Sequence, residues 1–329
     1  MAHGVILDIG INGAFLTRRW EEPENWMRVT AELGYPYHEF CSDVLDPFFS
    51  GDSVYQQETA AAVAEAAKRH GVCIWDIYTG VATHRFHGLS HRHPAVRERM
   101  AQWIRETMAL ARAMGAERIG GHWDAISVEE LEDDAGADAV ERRTIEQFRS
   151  LAEEAKPLGI TAIYNEQMYI PSERPWTIAG AKRFLEAANR GRRGVPIYLT
   201  VDVGHQAGMH YGLTGEDLDY RAWLRELAPF CEVVHLQQTT PDGSHHWPFT
   251  EEYNQRGHIR MDEVLQAISD GFARASESPL AAALPPVRKQ ILVAEIIPGS
   301  TKHEAPLLRE LEASAAFLRR YIPEGGLRI

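Results

Sequence analysis

Four residues in the second half of the chain have the types and the spacing to hold a metal ion and move protons. Glu166 ends the run ITAIYNE, Asp202 ends IYLTVD, His235 lies in EVVHLQ and Glu295 in ILVAEI, at spacings of 36, 33 and 60 residues. Each follows a β-branched or apolar run, so each is presented at the C-terminal end of a candidate strand. Side chains alternate between the two faces of a strand; Val233, His235 and Gln237 share one face, and so do Ile291, Val293 and Glu295. Consecutive units are therefore expected to deliver one polar group each, at the same depth. An ionised carboxylate buried in apolar surroundings is very costly unless it is paired or bound to a metal. Three carboxylates and an imidazole at one spot repel each other unless a cation lies among them. An oxygen-rich set with one nitrogen suits Mn²⁺, Mg²⁺ or Co²⁺ better than a thiolate-seeking metal. Such a centre keeps one net negative charge and can polarise a neutral carbonyl or diol. His205, three residues beyond Asp202, falls off its face and is expected in the following loop as a substrate contact. The alternative is four unrelated buried polar residues.

The elements that must position these groups alternate along the whole chain. Candidate strands cover 4–11, 37–42, 72–78, 117–123, 160–167, 197–203, 231–238 and 289–297. Candidate helices lie near 22–33, 55–70, 94–114, 137–157, 175–190, 216–228, 260–275 and 303–321. Gly34, Gly71, Gly115 and Gly159 each follow a helical run and precede a strand, as C-terminal caps should. Strict strand–helix alternation points to parallel strands joined by helical crossovers, and eight units is the number that closes a barrel. The fold class expected is α/β, a (β/α)8 TIM barrel, with residues 1–329 as a single domain. At about 150 residues per domain the length alone suggests two, but barrels often run longer as one unit. A doubly wound open sheet is the competitor, yet no GxGxxG follows the first strand.

Two long loops, 79–93 and 239–258, follow strand C-terminal ends, the face where barrel enzymes keep their active sites. A third irregular piece, 276–288, precedes the last strand and is expected to be structural. The chain carries 34 Lys+Arg against 47 Asp+Glu, a formal charge of −13, which argues against a nucleic-acid partner. No apolar stretch is long enough for a membrane span. MAHGVILDIG lacks a basic leader and is interrupted by Asp8, so no signal peptide is read. Cys41, Cys73 and Cys231, odd in number and widely spaced, suit a reduced cytoplasmic protein with buried thiols. A homo-oligomer is compatible with the sequence.

The ordered motifs YNE, DVGH, VVHLQ and VAEI, with GGHWD after the fourth strand and GHIRMDEVLQAI before the seventh helix, resemble the xylose isomerase-like TIM-barrel superfamily of sugar isomerases and epimerases. Within it the chain is similar to the ketose 3-epimerase branch, typified by D-tagatose 3-epimerase. That resemblance implies one Mn²⁺, Mg²⁺ or Co²⁺ on Glu166, Asp202, His235 and Glu295, with Glu166 and Glu295 as an acid/base pair on opposite faces of the substrate. The lysine motif of two-metal xylose isomerases is absent. A metal bridging a ketose carbonyl and the neighbouring hydroxyl acidifies the C–H between them and holds the enediolate. One carboxylate removes that proton and the other returns one to the opposite face. Protonation at the former carbonyl carbon gives aldose–ketose isomerisation instead.

The expected reaction is 3-epimerisation of a short ketose, including a four-carbon ketose phosphate such as an erythrulose phosphate. The runner-up is an aldose–ketose isomerase resembling D-apiose isomerase. An AP endonuclease-like DNA-repair barrel would need a three-metal cluster and a basic groove, which −13 opposes. A non-catalytic sugar-binding barrel is the remaining class. The chain departs from the branch after the seventh strand, where Pro241 stands in place of an arginine and SHHWPF supplies His245, His246, Trp247 and Phe249. Glu173 matches a branch glutamate except that it lies seven rather than six residues past the fifth-strand ligand. Arg18 and Arg19 after the first strand and Lys302 in PGSTKH after the last are expected to share one corner, where they make either a phosphate grip or a solvated loop. His84, Arg85, His87, His91, Arg92 and His93 read as a substrate-covering lid or as surface groups, and His122 as a group beside the metal. Trp123, Trp176 and Trp247 are candidate pocket walls.

Overall fold

The structure is a computed structural model that describes residues 4–329 except Thr83 and Arg85. Arg85 of the expected lid therefore lies outside the described residues. Eight strands run parallel: β1 (Ile6–Asn12), β2 (Tyr37–Cys41), β3 (Cys73–Tyr78), β4 (Arg118–Gly120), β5 (Ala162–Glu166), β6 (Ile197–Asp202), β7 (Val233–Leu236) and β8 (Lys289–Ala294). They pair in the order β2-β3-β4-β5-β6-β7-β8-β1, and β1 also pairs with β2, closing the barrel. Helices α1 (Pro23–Glu32), α2 (Ser53–His70), α3 (Pro94–Met114), α5 (Asp134–Ala155), α6 (Ile178–Asn189), α7 (Tyr220–Leu227), α9 (Met261–Ala273) and α10 (Glu304–Arg319) make the crossovers and the outer ring. The one-turn helices α4 (Val128–Leu131) and α8 (Glu251–Arg256) lie in loops.

Alternation along the strands separates two kinds of packing. Leu7, Ile9 and Ile11 on β1, Leu199 and Val201 on β6, Val234 and Leu236 on β7, and Leu292 on β8 have no exposed surface. They form the aliphatic layer under the helices, whose burial drives folding. The intervening positions are far more polar than the aliphatic layers usual inside such barrels: Glu39, Asp76, Thr200, Asp202 and His235 are all buried there. Arg118 at the other end bonds Glu232 at 2.8 Å and stacks on the Trp75 ring at 3.9 Å.

The active-face residues are not in one register row, although they converge at one depth as expected. Glu166 pairs with Thr200, two residues before Asp202; Asp202 pairs with His235; His235 pairs with Val293, two residues before Glu295. Strands in a closed barrel tilt and stagger, so a residue at equal height on the next strand lies farther along it.

One short feature escaped the sequence. Strand β9 (Leu327–Arg328) runs antiparallel to β1 at Ile6 and Leu7, below the point where β2 begins to pair with β1 at Gly10. The 276–288 segment is built around two 3-10 turns and buries Leu280 and Leu284 at the barrel's N-terminal side, as expected of a structural piece. Cys41 and Cys231 are buried, but Cys73, which opens β3, is exposed, correcting the expectation of three buried thiols.

The loop after β3 is docked on the loop after β4 by an isolated bridge between Gly88 and Asp124. Gly88 has φ of +48°, and a Cβ there would lie 1.9 Å from the carbonyl oxygen of Trp123. Only glycine meets both conditions. Gly88→Ala is expected to destabilise the protein by about 2 kcal/mol, read as a lowered thermal midpoint; an unchanged midpoint would show that this docking is dispensable.

Candidate active site

Glu166, Asp202, His235 and Glu295 come together at the C-terminal ends of β5 to β8. Each offers one ligand atom, and the four atoms lie within 4.8 Å of one another. His235 Nδ1 is the hub, 3.2 Å from Glu166 Oε1 and 3.2 Å from Glu295 Oε2. Asp202 and His235 have no exposed surface, and Glu166 and Glu295 keep only a few per cent. Asp202 is braced by the Gly204 N–H at 2.6 Å and by Gln237 Nε2, which donates to both carboxylate oxygens at 3.1 Å.

The electrostatics of the four follow from this crowding. Burial pushes Asp202 up. Burial also opposes ionisation of Glu166 and Glu295, but His235 outweighs it at both, and His246 adds to the effect at Glu295, which is held well below the usual carboxylate range. Burial alone would lower His235, yet Glu295, Glu39 and Glu166 together raise it well above an ordinary imidazole. At an effective dielectric of about 20, two like charges about 4 Å apart repel by about 4 kcal/mol. Three such carboxylates therefore call for positive charge. Glu295 Oε2, buried between the His235 and His246 nitrogens at 3.2 and 3.3 Å, is an acceptor aimed into the cluster. The donor set thus fits one hard divalent cation on oxygen atoms plus one imidazole nitrogen.

Above the cluster opens a cavity of about 360 Å³, lined by Asn12, Thr79, Met168, Tyr169, Ser244 and Ile297 together with Glu166, Glu295, His84, His205 and His246. That volume lies within the range of small-molecule sites. His205 sits where the loop reading placed it. Its Nδ1 is 2.8 Å from the Gln167 carbonyl, to which it donates, which leaves Nε2 facing Asp202 Oδ2 at 3.6 Å. His246 takes the uncommon left-handed conformation, φ +51°. Its N–H donates to Gln237 Oε1 at 2.7 Å, and its ring places Nδ1 3.3 Å from Glu295 Oε2 and Nε2 3.2 Å from Ser244 Oγ. Against the cost of burial, the Glu295 charge raises this imidazole to about 9.

Other expected contacts lie one layer back or elsewhere. Glu173 pairs with His84 at 3.7 Å, and the His122 ring lies 5.6 Å from that of His84, so both support a histidine that lines the cavity rather than lining it themselves. Trp247 does not line the cavity: it stacks on His245 with centroids 4.1 Å apart and pairs with Gln238 to close its own loop. Trp123 is fully buried against Phe148, and neither it nor Trp176 forms a wall of the cavity. Arg19 and Lys302 do meet at the β1–β8 corner, but not as a free grip. Arg19 donates to the carbonyls of Gly299 and Lys302 and pairs with Glu304, while Lys302 pairs with Glu310. Arg18 is exposed in a left-handed turn, and none of the three lines the cavity. His87 and His91 face a separate recess with Glu129 and Glu130, and His93 caps α3, so of the described histidines in this loop only His84 reaches the cavity.

Glu39 and Asn12 are the buried site residues that spacing missed. Glu39 meets His235 Nε2 at 3.0–3.1 Å with both carboxylate oxygens and accepts from Asn12 Nδ2 at 2.6 Å. The signal was present: a glutamate inside YHEFC, like Asp76 inside CIWDIY, is a charge in an otherwise apolar strand. Burial pushes Asp76 well above the ordinary carboxylate range.

Comparison with known proteins places this geometry in a family. Residues 27–273 match the model of the xylose isomerase-like TIM barrel family. A curated relative, D-erythrulose 1-phosphate 3-epimerase of Brucella abortus (strain 2308), is 22% identical over 272 residues, covering 82% of this chain and 86% of its own. A provisionally assigned xylose isomerase from Rhodospirillum rubrum superposes with a TM-score of 0.81 at 23% identity, over 95% of this chain and 99% of that one. D-psicose 3-epimerase, solved in the presence of D-fructose, gives 0.63 at 15% identity over 96% and 99%. L-ribulose 3-epimerase gives 0.62 at 18% identity over 94% and 92%. These structural likenesses establish a shared fold; the family match, which spans well over half of the chain, shows that this protein belongs to the xylose isomerase-like TIM barrel family.

Proposed function

We propose that this protein is a divalent-metal-dependent 3-epimerase of a small ketose. The observation that carries the reading is the convergence of Glu166, Asp202, His235 and Glu295 beneath an open cavity of sugar size. A cation held by these four would polarise the ketose carbonyl and its neighbouring hydroxyl, which acidifies the carbon-bound hydrogen between them. Glu166 and Glu295 enter from β5 and from beyond β8, on either side of Asp202 and His235, so each can address a different face of a bound ketose. One takes the C3 proton as a carboxylate; the other, as a carboxylic acid, returns a proton to the opposite face, and the two exchange protonation states in each turnover. His205, His246 and Ser244 supply hydrogen bonds to the sugar hydroxyls. His84, braced by Glu173 with His122 alongside, does the same at the opposite wall.

The curated relative is named for a phosphorylated ketose. Here the described lining of the cavity contains no Arg or Lys, and Arg19 and Lys302 are engaged in internal pairs. We therefore favour an unphosphorylated short ketose. A cytoplasmic location belongs to the same reading, supported by three unpaired cysteines; no described helix is long and apolar enough to cross a membrane.

Three measurements test this. With Mn²⁺ in D₂O, the protein is expected to incorporate one deuterium at C3 of a ketose and yield its C3 diastereomer. An aldose product would assign aldose–ketose isomerisation, and no label in any sugar would leave a binding protein. Glu295→Gln at saturating Mn²⁺ is expected to lower turnover at least about 10²-fold while sugar binding persists; unchanged turnover removes Glu295 from proton transfer. Erythrulose should be turned over in preference to erythrulose 1-phosphate, and the reverse order would overturn the choice of a neutral substrate.

A further inference from the structure

His235 is the only nitrogen donor in the four-residue set, so the set closes only if the ring nitrogen facing it carries a lone pair. Neutral imidazole has two tautomers, and the hydrogen bond made by one nitrogen decides the role of the other. Nδ1 faces Glu166 and Glu295, while Nε2 lies 3.0 Å from Glu39 Oε1 and 3.1 Å from Glu39 Oε2. The side chains of both His235 and Glu39 have no exposed surface, so no solvent competes for this contact. Glu39 belongs to β2, and the bond therefore crosses the barrel interior from β7. Its carboxylate is held in turn from β1, where Asn12 Nδ2 donates to Oε1 at 2.6 Å and Asn12 Oδ1 accepts from the Ala14 N–H at 2.8 Å. The β2–β3 register shifts between His38 and Glu39, which pair with Ile74 and Asp76. Irregularities of this kind re-aim side chains beside active sites.

We propose that Glu39 is a positioning residue for the metal centre: by accepting the Nε2–H of His235 it keeps the proton off Nδ1 and points that nitrogen at Glu166, Asp202 and Glu295. The inference rests on the reading that these four residues hold a cation, and it is independent of which sugar is turned over. Carboxylates behind a metal-bound imidazole set its orientation and strengthen it as a ligand.

The test is calorimetric titration of the protein with Mn²⁺ in the absence of sugar, for wild type and Glu39→Gln, each first shown folded by circular dichroism. Wild type is expected to bind one ion and Glu39→Gln to bind it about 10–100-fold more weakly. Asn12→Ala frees the Glu39 carboxylate without changing the charge; it is expected to give a smaller loss and carries the test if Glu39→Gln does not fold. ¹⁵N-histidine spectra of the Mg²⁺-loaded protein should show the His235 proton on Nε2 in wild type, a signature that a purely space-filling Glu39 would not control. Equal Mn²⁺ affinity in wild type and both variants would overturn the proposal while sparing the metal site. Absence of Mn²⁺ binding to wild type would remove the metal site and the proposal together.

Discussion

Three carboxylates whose oxygens lie within 4.8 Å of one another, in a place with almost no contact with water, cannot all stay ionised unaided. That constraint organises the rest of the molecule. His235 sits between two of the three, Gln237 and the Gly204 N–H brace Asp202, and Glu39 holds the far side of the imidazole. The aliphatic residues that bind the helices to the sheet lie on the other face of the same strands. Folding energy and chemistry are thereby separated by a side-chain alternation of one residue.

The barrel's stagger converts sequence spacing into a compact cluster. Because adjacent strands are offset, residues at unequal positions in the pairing register reach one height: Asp202 directly opposite His235, Glu166 and Glu295 each displaced by two. The loops then close the site from above. His246, held in a left-handed turn by Gln237, occupies the wall beyond β7, while Gly88 docks the loop that carries His84. A histidine-lined pocket over an acidic floor suits a neutral polyol better than a dianion, whose charge would meet surplus carboxylate below and no guanidinium or ammonium among the described lining residues.

Much of this was legible in the sequence because it depends on local periodicity. Seven of the eight barrel strands fall inside their expected ranges and β1 runs one residue past its own, α3 over 94–114 agrees at both ends, and the four clustered residues could be named from strand-end position alone. What escaped depends on partners far away in the chain. Arg19 and Lys302 were rightly expected to meet, but only the structure shows that carbonyls, Glu304 and Glu310 consume their charges. Trp247 looked like a wall until His245 was seen stacked on it. Glu39 was overlooked because it stands on β2, far from the β5–β8 series, although a lone glutamate in an apolar strand marks a charge turned into a barrel. The register offsets escaped because strand tilt is a property of the closed barrel and not of any one strand.

The central claim is that these four residues form one metal centre entered through His235 Nδ1. A crystal of the protein grown with Mn²⁺ and measured with anomalous scattering at the manganese edge tests it most directly. The expected result is a single peak in contact with Glu166, Asp202, His235 Nδ1 and Glu295, with His235 Nε2 still on Glu39. A peak held instead by His84, His205 or His246, contact through His235 Nε2, or no peak at the cluster would contradict it.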